Sequence, residues 1–218
     1  MAKPKLIAFD LDGTLVYTLD DIGEAVNRAL AHYGVRTLSN AELSPMIGYS
    51  TDYFFAHAVP EGREDLLNPV GAAYMEYYTK HCMDRSRPYD GILDALEALR
   101  GAGILLAAVS NKTHRESLKI IEQMFPRNCF NLVLGRMERF PKKPAPDMLR
   151  FVTDWLGVSP EETVYVGDSE VDIDFANAAG VACLSVAWGY RTRDQLIEAG
   201  ATQIVDSVPG MVDALLNR

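Results

Sequence analysis

Beyond residue 88 the chain alternates short apolar runs with amphipathic segments, and this alternation restricts the fold more than any other feature. With the apolar run near the N-terminus, the predicted strands cover residues 6–9, 104–109, 132–134, 163–166 and 181–186. Predicted helices cover 92–99, 113–124, 148–156, 173–179 and 208–216. Continuous apolar strands separated by helices are typical of a parallel sheet covered on both faces. The sequence therefore predicts an α/β fold with a Rossmann-like parallel sheet.

The stretch between residues 17 and 88 differs from the rest, because it has no strong strand signal. Apolar residues recur at helical spacing from residue 19 to residue 33, and Gly34 is a natural stop. Six of the ten tyrosines lie between residues 49 and 89, and Pro60 and Pro69 are expected to break the helices. We therefore predict a small helical domain at 17–86, inserted into a core domain formed by 1–16 and 87–218.

Composition excludes several classes of protein. The 218 residues carry a net charge of −9, so the surface would repel a nucleic acid polymer. Three widely spaced cysteines, with no CxxC pair, argue against a disulfide framework or zinc site. No apolar run approaches the roughly 20 residues of a membrane span, and the N-terminus has no signal-peptide core. We expect a cytoplasmic protein without a membrane or nucleic acid partner.

Polar clusters directly follow three of the predicted strands, and a lysine precedes one of the helices. The residues concerned are Asp10, Asp12, Gly13 and Thr14; Ser110, Asn111 and Lys112; Lys143; and Asp168, Ser169, Glu170 and Asp172. In parallel sheets, ligands bind beyond the carboxyl ends of the strands, so these clusters should converge. Together they provide the carboxylates, hydroxyl and ammonium that phosphoryl transfer with Mg²⁺ requires.

Four of these segments resemble the signature motifs of the haloacid dehalogenase superfamily. They are Asp10-Leu-Asp-Gly-Thr14, Ser110-Asn-Lys112, Lys143-Pro-Ala-Pro146 and Gly167-Asp-Ser-Glu-Val-Asp172, in matching order and approximate spacing. The helical insert after the first motif resembles the cap domain of the phosphoglycolate phosphatase-like branch. This resemblance implies a core typical of the superfamily, a cap inserted after the first strand, and a Mg²⁺-dependent phosphatase.

The resemblance also implies a role for each matching residue. Asp10 would be the nucleophile, and Asp12 would protonate the leaving oxygen and then activate water. The phosphate group would be bound by Ser110, Asn111 (through a backbone donor), Lys143, Gly13 and Thr14. Mg²⁺ would be held by Asp10, the backbone carbonyl of Asp12, and Asp168, with Asp172 close by. The loop of the cap that reaches the site would be Gly48, Tyr49 and Ser50.

Two positions depart from the family pattern, which commonly has Asp-Ser shortly after the first motif. Here Tyr17 and Thr18 occupy those positions, and Thr18 is expected to cap the first helix of the insert. Glu170 and Asp174 are expected to be solvated helix charges. The segment 188–191 follows a strand and would shape the core near the site.

The substrate would be a small phosphate ester, with 2-phosphoglycolate first by resemblance. Nucleoside monophosphates, sugar phosphates and pyrophosphate are alternatives, and a phosphomutase uses the same core. A dehalogenase is disfavoured because Asp12 is present, and a phosphonate hydrolase would need a lysine in the cap, where Lys80 is the only lysine. An inactive binding module is disfavoured because every motif is complete. We expect a monomer or small homo-oligomer.

Overall fold

The computed structural model describes residues 3–217 and contains a central parallel sheet. The strands are β1 (Leu6–Phe9), β2 (Val16–Tyr17), β3 (Arg87–Pro88), β4 (Leu105–Thr113), β5 (Leu132–Arg136), β6 (Thr163–Gly167), β7 (Ala182–Val186) and β8 (Ile204–Val205). Six of them form the main sheet in the order β5-β4-β1-β6-β7-β8, and all neighbours are parallel. The predicted α/β fold with a parallel sheet is therefore confirmed.

Ten α-helices connect and cover these strands within residues 3–217. They are α1 (Leu19–His32), α2 (Asn40–Leu43), α3 (Thr51–Ala58), α4 (Leu67–His81), α5 (Ile92–Gly101), α6 (His114–Met124), α7 (Asp147–Leu156), α8 (Glu170–Ala179), α9 (Arg193–Glu198) and α10 (Val208–Leu216). The sequence did not predict α9 or β8, since six and two residues are too short to show a period. β4 continues four residues past its apolar run.

Side chains along the strands point alternately to the two faces of the sheet, so the core has an apolar layer on each face. In β1, Ile7 and Phe9 join the apolar cluster that includes residues of α5 and α10, whereas Leu6 and Ala8 join the cluster with residues of α7 and α8. Successive side chains of a strand point to opposite faces, so a strand buried on both faces must be apolar throughout. This explains why the central strands appear in the sequence as continuous apolar runs.

Residues 17–86 are largely helical and contribute to a third apolar cluster, formed mainly by α1, α3 and α4. At its base β2 and β3 form a two-residue antiparallel pair, which the sequence did not predict. The prediction that Pro69 breaks a helix is wrong, because it lies in the first turn of α4. A missing N–H costs little there, since the first-turn N–H groups have no intrahelical acceptor. The domain boundaries themselves stay a prediction.

No helix within residues 3–217 combines the length and the apolarity that a membrane crossing needs.

Candidate active site

The carboxyl ends of the three central strands bring the predicted motifs together. β1 lies between β4 and β6, with Phe9 opposite both Ala108 and Val166. Asp10 therefore follows β1 next to the carboxyl ends of β4 and β6. Its backbone N–H donates to the Val166 carbonyl (2.9 Å). Its side chain is buried. The convergence expected from strand order is thus present in the structure.

Lys143 lies at the centre of the buried charges. Its Nζ is 2.9 Å from Asp10 Oδ1, and it donates to Asp172 Oδ1 (2.7 Å) and to the Tyr165 hydroxyl (2.9 Å). Burial lowers the pKa of Lys143, but the two carboxylates together raise it above its usual value. The ammonium therefore stays charged and can hold an anionic oxygen next to Asp10.

Asp10, Asp168 and Asp172 form the acidic cluster, with one oxygen of each lying within 4.8 Å of the others. Burial raises the pKa of Asp10 to about 7, against the effect of Lys143, and raises that of Asp168 to about 8. Mutual repulsion adds to both shifts. Asp10 Oδ1 also accepts no well-directed hydrogen bond despite its ion pair. Buried carboxylate oxygens in this arrangement fit a Mg²⁺ ion, which would relieve their repulsion.

Close backbone packing holds Asp168 in position. Its Oδ1 accepts from the Thr14 hydroxyl (3.0 Å) and its Oδ2 from the Tyr190 N–H (2.7 Å). A Cβ at Gly13 or Gly189 would overlap the Asp168 carboxylate, and Gly13 has a φ of +87°. Gly13 and Thr14 thus orient this carboxylate, whereas their predicted role in phosphate binding stays a prediction.

Asp172 binds two segments of the site, the loop after β6 and Lys143. Its Oδ2 accepts from the Asp168 N–H (3.2 Å), the Ser169 N–H (3.1 Å) and the Ser169 hydroxyl (2.6 Å). Ser169 and Asp172 together cap the start of α8. Such a capping box fixes the first turn of a helix. Asp172 therefore fastens the loop that carries Asp168 and positions the ammonium.

Both oxygens of Asp12 have partners. Thr18 Oγ1 donates to Oδ1 (2.7 Å), and Lys112 Nζ lies 2.9 Å from Oδ2. The prediction that Thr18 caps α1 is wrong, because its hydroxyl is used here and makes no cap hydrogen bond. The Tyr190 hydroxyl accepts from the Thr18 N–H (2.8 Å). Asp12 is therefore held by two side chains to which the sequence analysis gave no such role.

The signal that could have found Lys112 is its place in the second motif, since a register shift between Val109 and Thr113 interrupts strand alternation. Ser110 is buried, and its Oγ accepts from the Lys112 N–H (3.2 Å). Asn111 acts through its side chain as well. Its Oδ1 accepts from the Lys143 N–H (2.8 Å), and its Nδ2 donates to the Gly48 carbonyl (3.0 Å). The second motif therefore contacts both the Lys143 loop and the insert.

The predicted cap loop does reach the site. Gly48 contacts Asn111, Tyr49 stacks on Tyr53 with ring centroids 4.0 Å apart, and Ser50 accepts from the Tyr53 N–H as the N-cap of α3. A cavity lies between this loop, α4 and the core, where Asp12 and Lys112 form part of its wall. Residues of the insert and of the core therefore share the wall of this cavity.

Arg191 joins the insert to the core. Its guanidinium donates to both Glu170 oxygens (2.8 Å each) and to the carbonyls of Ser44 (3.0 Å), Pro45 (2.9 Å) and Ile47 (3.2 Å). The interpretation of Glu170 as a solvated charge is wrong, since it is half-buried in this contact. Asp174 is exposed, as expected. The sequence analysis placed residues 188–191 near the site but did not predict the contacts of Arg191, because Glu170 and the three carbonyls are distant along the chain.

Comparison with known proteins agrees with this site. The model of the haloacid dehalogenase-like hydrolase family matches residues 7–186. A phosphoglycolate phosphatase of Chromobacterium violaceum is 31% identical over 218 residues, which cover 98% of this chain and 97% of the relative.

Solved structures give the same result. A crystal structure from Lactobacillus delbrueckii subsp. bulgaricus has a TM-score of 0.95 and 31% identity, covering 100% of both chains. Another, of a predicted phosphoglycolate phosphatase from Haemophilus somnus, has a TM-score of 0.89 and 30% identity, covering 99% of this chain and 98% of that one. With the converging motifs, these matches show that the chain belongs to the haloacid dehalogenase-like hydrolase family.

Proposed function

We propose that this protein is a Mg²⁺-dependent phosphatase that hydrolyses a small phosphate monoester, 2-phosphoglycolate first, through an aspartyl-phosphate on Asp10. The observation that carries the proposal is the buried cluster of Asp10, Asp168 and Asp172, in which Asp10 and Asp172 pair with Lys143. Asp12 lies beside it at the wall of a covered cavity. The names of the relatives favour 2-phosphoglycolate among the candidate esters.

Mg²⁺ would be held by Asp10, Asp168 and the Asp12 carbonyl, and would neutralise charge between the nucleophile and the phosphate. The Asp10 carboxylate attacks phosphorus, while Lys143 and Ser110 hold the transferring oxygens. Asp12 in its acid form gives a proton to the leaving oxygen and becomes the carboxylate that pairs with Lys112. It then takes a proton from the water that cleaves the aspartyl-phosphate. Lys143 gives the developing negative charge a fixed partner, which is a large contribution to phosphoryl transfer.

Two other reactions of related proteins fit this site less well. A phosphonate hydrolase would need a lysine of the insert in the site, but Lys80 is exposed and faces a different cavity, with His32 and Tyr77. A dehalogenase would not need the Asp12 carboxylate. A phosphomutase would use the same residues, and product analysis separates it from a phosphatase, because only hydrolysis releases inorganic phosphate.

The decisive experiment measures phosphate release from 2-phosphoglycolate, nucleoside monophosphates, sugar phosphates and pyrophosphate. Each substrate is tested with Mg²⁺, with chelator, and with Asp10→Asn. Asp174→Asn is the matched control, because Asp174 is an exposed acid of α8 outside the cluster. We expect 2-phosphoglycolate to give the highest kcat/KM, with loss of activity in chelator and in Asp10→Asn only.

Substantial activity of Asp10→Asn would show that Asp10 is not the nucleophile. Activity that is unchanged by the chelator would show that the reaction does not need the metal. A different preferred ester would keep the chemistry but change the substrate. We also propose that the enzyme works in the cytoplasm on a diffusible ester, as a monomer or small homo-oligomer.

A further inference from the structure

The cavity beside Asp12 has an uneven distribution of charge. Its wall is mainly apolar and aromatic, from residues of α1, α3, α4 and the 46–51 loop. Among the described residues of this wall, Lys112 is the only cation, and Asp12 and Glu116 are the acids. A buried ammonium is costly unless anions surround it, so its presence in a mainly apolar wall needs an explanation.

The surroundings of Lys112 leave part of its hydrogen-bonding capacity unused. Its ammonium is buried and lies 2.9 Å from Asp12 Oδ2, its one hydrogen-bond acceptor among the described residues. It also lies over the Tyr78 ring, 4.9 Å from the centroid. An ammonium has three donors, so two remain for a ligand. Since Lys112 forms part of the cavity wall, a molecule in the cavity can reach it.

From these contacts we infer that Lys112 is a specificity-determining residue, which selects esters whose leaving alcohol carries an anion, such as a carboxylate, close to the ester oxygen. The inference rests on the proposed function, because Asp12 is taken to meet the leaving oxygen. A proton transfer requires the two within about 2.6–3.2 Å. Lys112 in turn hydrogen-bonds Asp12. An anion separated from the leaving oxygen by one carbon therefore lies within reach of the Lys112 ammonium.

Glu116 sets a limit on where such an anion can lie. Its Oε1 accepts from the Thr79 hydroxyl (3.1 Å), and it forms another part of the cavity wall. A carboxylate near Glu116 would be repelled, which leaves the Lys112 side of the cavity. Short anionic alcohols satisfy this geometry, whereas the apolar wall gives no counter-charge to an anion further away.

The test compares two esters of nearly equal size, 2-phosphoglycolate and 2-hydroxyethyl phosphate, which differ in the charge of the leaving alcohol. The ratio of their kcat/KM values is measured for the wild type, Lys112→Met, Lys112→Arg and Glu116→Gln. A hydrogen-bonded charge contact of this kind corresponds to a change of about 10- to 100-fold. We expect Lys112→Met to reduce the ratio by this factor, Lys112→Arg to retain most of it, and Glu116→Gln not to lower it.

Because both esters react at the same Asp10 and Asp12, general damage to the site lowers both rates and leaves their ratio unchanged. An unchanged ratio in Lys112→Met would therefore overturn the inference, even if both rates fall. An equal fall of the ratio in Glu116→Gln would overturn it too. A wild type that hydrolyses neither ester would instead overturn 2-phosphoglycolate as the substrate, with which the inference also fails.

Discussion

Replacing Arg191 by Met should loosen the contact between the insert and the core. The substitution keeps an unbranched apolar side chain but removes five hydrogen bonds, two to Glu170 and three to backbone carbonyls of residues 44–47. Those acceptors would remain, partly shielded from water. Breaking one partner of a buried ion pair costs about 3–5 kcal/mol.

The exposure of the partners sets the size of this effect. The Arg191 side chain is 4% exposed and that of Glu170 32% exposed, so water can partly replace the lost donors at the carboxylate. We therefore expect a loss of about 2–4 kcal/mol in the free energy of unfolding. For a chain of this length that corresponds to a fall in Tm of about 4–16 °C. Urea unfolding and thermal melts followed by circular dichroism measure both quantities.

Arg193→Met is the matched control, because it removes the same side chain two residues further on. Arg193 donates to both oxygens of Asp206 (2.7 and 2.8 Å), but the two side chains are 48% and 68% exposed. Exposed ion pairs contribute less than about 1 kcal/mol. If Arg191→Met and Arg193→Met destabilised the protein equally, the argument from burial would be refuted.

Three further predictions concern the site. Thr18→Val removes the hydroxyl that donates to Asp12, so kcat should fall roughly tenfold with little change in Tm, measured by steady-state kinetics and melts. Gly189→Ala places a methyl group against the Asp168 carboxylate, so the rise in Tm that Mg²⁺ produces should shrink. Burial raises the pKa of Asp10 to about 7 and of Asp168 to about 8, so both bind protons more strongly when folded. The free energy of unfolding without metal should therefore fall as the pH rises from about 4 to about 8. In urea unfolding, Mg²⁺ should stabilise the protein more at pH 8 than at pH 5.

Controls for the two substitutions are available in the chain. Thr37→Val changes an exposed threonine, and Gly101→Ala adds a methyl group with open space around it. Neither should alter kcat or the response to Mg²⁺. Unchanged kcat in Thr18→Val, or full Mg²⁺ stabilisation of Gly189→Ala, would contradict the roles given to those contacts. A metal-free stability that rises with pH would contradict the repulsion among the buried carboxylates.

Much of the fold could be predicted from the sequence, because local pattern and burial agree in the central strands. Leu6 to Phe9 is apolar throughout since both of its faces are buried, and the predicted strand has the observed bounds. The motifs end up together because parallel strands end at the same edge. The apolar pattern did not predict the short elements β8 and α9. The prediction for Pro69 was wrong because, in sequence alone, a proline of the first helical turn looks the same as one that ends a helix.

The sequence by itself determined the chemical groups at the sheet edge and their order, since Asp10, Ser110 and Asp168 follow buried strands. Only the tertiary structure decided which side chains serve them. Thr18 binds Asp12 instead of capping α1, Lys112 pairs with the same carboxylate, and residues 188–191 approach from the last third of the chain. The physical reason is the distance along the chain over which each kind of interaction acts. Periodicity and capping act over a few residues, whereas these contacts join positions separated by 6 to 172 residues.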